Sequence, residues 1–461
     1  MLEKYILVSH IERQMRKKIS VLIKKKITKF RKTILVENDK SISHRALLIA
    51  SQCIGPSTIN GILESEDVKN TIICLKKLGV KIVKKKQKYI VHGNGLGSFR
   101  KPNKNQLYVG NSGTLARLLI ALIATNPNLK VKVFGDSSLN KRDMKRIIEP
   151  LSKIGCNFYP KGKTTLPLTI EGTSMPLAQK HFEILGSAQV KSAILLAAIN
   201  THGITAVEEK KISRNHTENL LATITADIKI KKLKKGNLIL LKGKRNLSCF
   251  NIEIPGDPSS AAPFIVLTLL TAGSKLLIKN INCNPTRMGF VKILKKMNAN
   301  ITIKNLKKKS GEPVGDIFVK SSFLKPINCP KELVPSLIDE FPLLFVIASV
   351  IKGVTKFSGI NELRHKESDR IKNMEIGLNQ IGIKTKSTIN SLKIHGNPNL
   401  QMNKTVKIFT KKDHRIAMSF FCLGKLLNGN FQINNFETVN TSFSKFLFTM
   451  KKIGAKYEIK K

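Results

Sequence analysis

Residues 65–82 read SEDVKNTIICLKKLGVKI. Polar residues fit to cap a helix lead into apolar residues at helical spacing, and a glycine then gives way to a short β-like run. The plan recurs at 141–158 (KRDMKRIIEPLSKIGCNF), 215–230 (NHTENLLATITADIKI), 286–301 (TRMGFVKILKKMNANI), 366–385 (KESDRIKNMEIGLNQIGIKT) and 441–457 (TSFSKFLFTMKKIGAKY). The helical pattern breaks at Gly79, Gly155, Thr225, Asn298, Gly382 and Gly454, so successive breaks lie 76, 70, 73, 84 and 72 residues apart. All but Thr225 are Gly or Asn, which best tolerate the left-handed conformation that ends a helix.

A second helical segment precedes each of these: 44–55 (HRALLIASQCIG), 113–125 (GTLARLLIALIAT), 188–200 (AQVKSAILLAAIN), 259–273 (SSAAPFIVLTLLTAG), 339–353 (DEFPLLFVIASVIKG) and 413–429 (DHRIAMSFFCLGKLLNG). These are apolar nearly all round, as helices wrapped by other elements must be. With β-like runs between them they make six α/β units, each too long for an ordinary solenoid repeat, and three units per globular domain suits domain sizes better. The expected fold class is therefore α/β, in two three-unit domains. The first spans 40–251. The second spans 255–461 and takes in the strand-like 32–39 (KTILVEND). Residues 1–31 read as a frayed basic extension. The chain then crosses between domains twice, near 38–40 and 252–257, and two adjacent crossings make a hinge.

Composition bounds function. Lys plus Arg number 81 against 30 Asp plus Glu, a formal charge of +51 that invites a nucleic-acid reading. The Lys residues are spread along the chain and travel with Ile and Asn, as drift toward AT-rich codons would produce, while aromatic residues are 6% with no Trp. No nucleic-acid-binding signature accompanies them. The seven Cys have neither CxxC pairs nor a Cys/His ladder, so no zinc or other metal site is expected and the thiols read as reduced, in the cytoplasm. No apolar run reaches the roughly 18 residues of a membrane span.

The informative residues gather where the apolar helices open. NDKSISHRALL places Lys40, Ser41 and Arg45 around a helix start, where free N–H groups favour an anion. GNSGTLARLL puts Gly113 in a turn a ligand can approach, GDSSLNKRDM supplies Arg142, and LGSAQVKSA supplies Ser187, Ala188, Gln189 and Lys191. Asp339 opens another apolar helix. In RHKESDRI, Lys366 and Arg370 share a helix face with Glu367 one turn before Arg370, and DHRIAM brings His414 and Arg415. Taken singly, each is as well explained by a helix cap or a solvated face. Recurrence at equivalent places in several units is what six unrelated faces would not give. Arg also persists at 45, 117, 142, 214, 287, 364, 370 and 415 in a chain that otherwise uses Lys. Its planar fork grips carboxylate or phosphate in a way Lys cannot imitate, so small, multiply anionic ligands between two domains are implied.

With these residues assembled, the chain from about Lys32 onward resembles the 5-enolpyruvylshikimate-3-phosphate synthase family. DKSISHR, GNSGT, SAQVKSA, GDPSS, IDEFP, KESDR and DHRIAM occur in family order. The wording is nearest the bacterial subgroup known for glyphosate tolerance, although that subgroup typically carries Ala where this chain has Gly113. VENDKS replaces the commoner PGDKS, and VNTSFSKF lacks the paired Lys of many members, so nothing is carried over from that segment.

The resemblance implies the enolpyruvyl transferase fold, two domains each of three βαβαββ units. It also implies transfer of the carboxyvinyl group of phosphoenolpyruvate to the 5-hydroxyl of shikimate-3-phosphate, with release of phosphate and without metal or organic cofactor, by a cytoplasmic monomer that binds neither nucleic acid nor membrane. Shikimate-3-phosphate falls to Lys40, Ser41, Arg45, Ser187, Ala188, Gln189, Asp339 and Lys366. Phosphoenolpyruvate falls to Lys40, Gly113, Arg142, Gln189, Arg370 and Arg415. Asp339 is then the base at the hydroxyl, Glu367 the acid and base at the methylene, and Lys40 shares in catalysis. Two carboxylates among such cations should not titrate alike, and which of them is raised stays open. The same-fold transferase acting on UDP-N-acetylglucosamine is the nearest alternative; its mobile loop normally carries a reactive Cys, and GDSSLNKRDMKR has none.

Overall fold

The helix breaks are left-handed wherever the residue permits. Gly79, Gly155, Asn298, Gly382 and Gly454 have φ of 90°, 102°, 73°, 86° and 91° in the computed structural model, which describes residues 18–402 and 404–460. The third outer helix stops sooner, at Ala222, with Thr223 as a right-handed cap (φ −87°), so Thr225 needs no left-handed turn.

Among the described residues the first six α-helices are α1 (Lys40–Ala50), α2 (Glu66–Lys77), α3 (Gly113–Ala124), α4 (Lys145–Lys153), α5 (Ala188–Ala198) and α6 (His216–Ala222). The next six are α7 (Pro258–Leu270), α8 (Gly289–Lys296), α9 (Phe341–Val350), α10 (Arg370–Gln380), α11 (His414–Leu426) and α12 (Phe446–Lys452). Odd-numbered helices are the apolar ones, and burial follows: every residue of α11 is buried, and all but the last of α7 and α9. Burial on all sides is what an all-round apolar pattern demands. Five of them are capped by a side chain that accepts a backbone N–H, from Asp39, Ser112, Ser187, Asp257 and Asp413.

Among the described residues six small sheets lie outside the inner helices. In the second unit, strand 106–108 runs parallel to 130–134, which is antiparallel to 168–171, which is antiparallel to 157–159. In four units a glycine within a strand (Gly93, Gly396) or just after one (Gly172, Gly243) passes the C-terminal end of the inner helix where no side chain fits. A Cβ on Gly93, Gly172, Gly243 or Gly396 would collide with carbonyl oxygens of residues 50 and 53, 123 and 126, 198 and 201, and 348 and 351, respectively.

Two hydrophobic cores result, one built from residues between Ile42 and Ile254, the other from Val21 to Val36 together with Ala261 to Ala455. Strand 31–34 pairs in parallel with 275–282 of the second core, whereas 251–253 pairs in parallel with 54–60 of the first. The second core therefore takes in a strand that precedes the first crossing, and the first core is closed by a strand that ends just before the second. The two crossings lie against each other: Asp39 N–H donates to the Pro255 carbonyl (2.8 Å) and Asp257 N–H to that of Glu37 (2.9 Å).

The reading of 1–31 as a frayed extension needs correction. Residues 1–17 lie outside the described residues, but Ser20–Ile23 is a strand, antiparallel to 431–434 on one side and to 458–460 on the other. It occupies in the sixth sheet the position that the unit's own last strand holds in the second. Val21 and Ile23 are fully buried, with Ile27 and Phe30 nearly so. Local composition hides this, because the apolar run is short and lysine-flanked and its partners lie some four hundred residues away in sequence. Val21→Asp, which would bury a carboxylate between two strands, is expected to destabilise the protein by about 3 kcal/mol or more in a denaturant melt.

Candidate functional site

The polar openings of the inner helices converge on the space between the two cores, where side chains from both meet. On the first side, Lys40 starts α1, with its backbone N–H donating to Asp257 Oδ2 (3.2 Å) and its ammonium to Asp67 Oδ2 (3.0 Å). One turn on, Arg45 is 2% exposed and donates to Thr217 Oγ1 (2.8 Å), Ser192 Oγ (2.8 Å) and the Ser41 carbonyl (3.0 Å). Burial brings its pKa down to about 10, yet it stays charged at neutral pH.

Gly113 begins α3 directly beneath two guanidinium groups. A Cβ there would stand 2.7 Å from Arg117 Nη1 and 3.1 Å from Arg142 Nη1. Arg117 in turn donates to Gln189 Oε1 (2.9 Å), and Gln189 Nε2 donates to Thr114 Oγ1 (2.9 Å), which fixes the amide's orientation. Ser187 caps α5 and its own N–H is held by Glu183 Oε1 (3.1 Å); Ala188 is the first residue of that helix. Lys191, singled out with them, is fully buried and paired with Glu209 (2.8 Å) and Glu218 (2.7 Å), away from the cleft.

The other side supplies the carboxylates. Arg370, 1% exposed, donates through Nε to Asp413 Oδ2 (2.9 Å), through Nη2 to Glu367 Oε2 (2.5 Å) and more weakly through Nη1 to Asp339 Oδ1 (3.4 Å). Its fork is turned to protein carboxylates. Arg415 donates to the Ser259 carbonyl (3.3 Å), while its buried Nε has no partner. Contacts that span the cleft include Arg214 with Asp339 Oδ2, Arg142 Nη1 with Glu367 Oε1 (3.8 Å), Ser138 Oγ with the Glu367 carbonyl (3.3 Å) and, at the exposed margin, Arg146 Nη2 with Glu362 Oε1 (2.8 Å).

Ionisation follows from these neighbours. Burial opposes charge on Asp339, but Arg214, Arg415, Lys366 and Arg370 outweigh it and hold the carboxyl well below its ordinary range. Glu367 is likewise held well down against burial, by Arg370 and Arg142 foremost. Other acids are raised instead: Glu340, next to Asp339, by burial and by that charged neighbour, its Oε1 accepting the Ser259 hydroxyl, and Asp67, by burial that outweighs Lys40. Thus neither candidate carboxylate is elevated in the ligand-free protein. Burial lowers Lys366 in spite of Asp339.

Sequence reasoning left Arg117, Arg214, Asp67 and Asp413 without roles. The two arginines carried a signal, since each is an Arg kept in a lysine-rich chain; the two aspartates carried none beyond ordinary capping. Among the described residues no group of His, Cys, Asp and Glu could hold a metal ion, and no helix is long and apolar enough to cross a membrane.

His44 on α1 is fully buried, its Nδ1 2.7 Å from Thr71 Oγ1, and burial followed by the charges of Lys40 and Arg45 drives its pKa well below the usual value. A histidine kept neutral by the fold contributes stability above its unfolded pKa and loses it as pH falls toward the folded one. His44→Asn is therefore expected to be less stable than wild type at pH 7, with the gap narrowing by about 1.4 kcal/mol per pH unit below about 6.5 in parallel denaturant melts.

Comparison with known proteins agrees with this geometry. The sequence profile of EPSP synthase (3-phosphoshikimate 1-carboxyvinyltransferase) matches residues 24–450. A 3-phosphoshikimate 1-carboxyvinyltransferase of Zymomonas mobilis is 40% identical over 95% of this chain and 97% of its own length. One from Petrotoga mobilis is 42% identical over 91% and 96%. The solved EPSP synthase of Acinetobacter baumannii superposes with a TM-score of 0.83 at 36% identity, covering 96% of this chain and all of that one. The enolpyruvyl transferase NikO of Streptomyces tendae shares the fold at 12% identity (TM-score 0.76, over 96% and 99%). The profile match over most of the chain, with relatives near 40% identity along almost their whole length, shows that the chain belongs to the EPSP synthase (3-phosphoshikimate 1-carboxyvinyltransferase) family.

Proposed function

We propose that this chain transfers the carboxyvinyl group of phosphoenolpyruvate to the 5-hydroxyl of shikimate-3-phosphate. The observation that carries the reading is the pair Asp339 and Glu367, both ionised and both touching Arg370, in a cleft lined by arginines and lysines from two domains. Two polyanions must meet there, and prepositioned cations offset their repulsion. Lys40, Ser41, Arg45, Ser187, Ala188, Gln189 and Lys366 take the shikimate ligand, joined by Arg214, which now neutralises Asp339 across the cleft. Lys40, Gly113, Arg142, Gln189 and Arg415 take phosphoenolpyruvate, and the unpartnered Nε of Arg142 and Arg415 leaves both with donors to spare. Arg370 serves mainly by holding the two carboxylates in place.

Asp339 accepts the proton of the 5-hydroxyl as its oxygen attacks C2 of phosphoenolpyruvate, and a proton on Glu367 passes to C3, giving a methyl group and a tetrahedral adduct that still carries phosphate. Glu367 then takes a proton back from that methyl group, the double bond reforms and the C2–O bond to phosphate breaks. Glu367 must hold a proton for the first step. The arriving phosphoenolpyruvate anion supplies the means, because it offsets the Arg142 and Arg370 charges that keep the carboxyl low. The chain works, in this reading, as a cytoplasmic monomer without metal or cofactor; its cysteines are all unpaired and all but Cys249 buried, as suits a reducing compartment.

Phosphate release from shikimate-3-phosphate plus phosphoenolpyruvate tests the proposal; release requires both, and UDP-N-acetylglucosamine should not replace the first. Asp339→Asn and Glu367→Gln are each expected to lower kcat by about 100-fold or more while the fold and shikimate-3-phosphate binding persist. Unfolding of both variants would mark them as structural residues instead. Gly113→Ala acts sterically, displacing Arg117 and crowding Arg142. It should raise the inhibition constant for glyphosate, longer than the substrate it mimics, more than the Michaelis constant for phosphoenolpyruvate. Equal changes in the two constants, measured side by side, would contradict this.

A further inference from the structure

We propose that Arg287, which touches neither substrate, is a positioning residue that fixes Lys40 and Arg415 at once by binding both crossings of the hinge. The inference rests on the substrate assignment above for its kinetic consequence, and on geometry alone for its structural one.

Arg287 lies between strand 275–282 and α8, 3% exposed. Nη1 donates to Asp39 Oδ2 (3.1 Å); Nη2 donates to Asp257 Oδ1 (2.7 Å) and Ser259 Oγ (2.8 Å). Asp39 caps α1 through its other oxygen and Asp257 caps α7, so a single guanidinium ties together the helix starts that follow the two crossings. From there two paths lead to the cleft. Asp257 Oδ2 accepts the backbone N–H of Lys40 (3.2 Å), and the Ser259 carbonyl accepts Arg415 Nη1 (3.3 Å). Lys40 and Arg415 stand on different domains, and Arg287 is the group bonded to the immediate supports of both. Its charge is spent on Asp39 and Asp257, so it cannot be a ligand for an incoming anion, despite being one of the arginines a lysine-rich sequence retains.

A lysine at 287 keeps the charge but cannot reach three acceptors as a planar fork does. Arg287→Lys is therefore expected to fold. In the ligand-free protein, amide exchange in peptides covering 38–43 and 255–260 should quicken by about tenfold while the inner helices stay protected. Kinetically, the Michaelis constant for phosphoenolpyruvate, which loses the placement of both Lys40 and Arg415, should rise by about fivefold or more. That for shikimate-3-phosphate should rise by a smaller factor, because Lys40 alone of its ligands depends on Arg287 while Arg45 and Gln189 are held by contacts remote from it. A purely structural role would lower kcat through the folded fraction and leave both constants unchanged. Should the lysine variant fail to fold, Arg287→Met combined with Asp39→Asn removes one buried charge of each sign and keeps a capping oxygen on α1, and the same measurements apply.

Unchanged exchange at 38–43, or a phosphoenolpyruvate constant within about twofold of wild type in a folded, active variant, overturns the inference. A wild-type chain that releases no phosphate refutes the functional reading instead, and the exchange measurement then decides the role of Arg287 alone.

Discussion

The guanidinium of Arg370 is shared among three carboxylates that arrive on three separate stretches of chain: Asp339 ahead of α9, Glu367 ahead of α10 and Asp413 ahead of α11. Almost nothing of it is exposed, so each contact acts in a medium that amplifies charge, and an unpaired carboxylate there would cost several kcal/mol. Arg370 can be buried only because it is surrounded by acids, and the acids stay ionised because Arg370 is among them. Asp413 also caps α11 by accepting the N–H of Arg415, so the same charge that orders the carboxylates places a cation from the neighbouring unit.

This arrangement depends in turn on the double crossing. Strand 31–34 joins the second domain just before the first crossing and strand 251–253 joins the first domain just before the second, and the bonds between residues 37–39 and 255–257 keep the two passages side by side. Such a junction brings α1 and α7 close enough to cooperate through Asp39, Asp257 and Arg287. It leaves the other margins of the cleft to a few contacts between side chains, of which Arg214 with Asp339 and Arg142 with Glu367 are also the ones that incoming anions would compete for.

Much of this is written locally. The helix terminators Gly79, Gly155, Asn298, Gly382 and Gly454 declare the repeat because a left-handed residue is a local requirement. The all-apolar helices declare the interior for the same kind of reason. Asp339, Glu367, Arg370 and Arg415 could be singled out because several units place polar residues at the same helix starts. What could not be read depends on partners distant in sequence. Ser20–Ile23 becomes a strand only through contact with 431–434 and 458–460. The direction of the Arg370 fork, the burial of Lys191 against Glu209 and Glu218, and the elevation of Glu340 rather than Asp339 or Glu367 are all set by neighbours the sequence does not place. The glycines at 93, 172, 243 and 396 are an intermediate case: they recur at equivalent places, but their reason, a strand grazing a helix end, is visible only in three dimensions.

Surrounding guanidinium groups keep Asp339 and Glu367 ionised in the protein alone, and substrate anions, not bulk pH, change that state. Carbon-13 carboxyl NMR of Asp- and Glu-labelled protein, with the two resonances assigned by their disappearance in the Asn and Gln variants, measures it directly. Both signals should stay at the ionised position from pH 8 down to about 4.5, near and then at the ordinary carboxylate range. A transition of either one between about pH 5 and 7 would contradict the account.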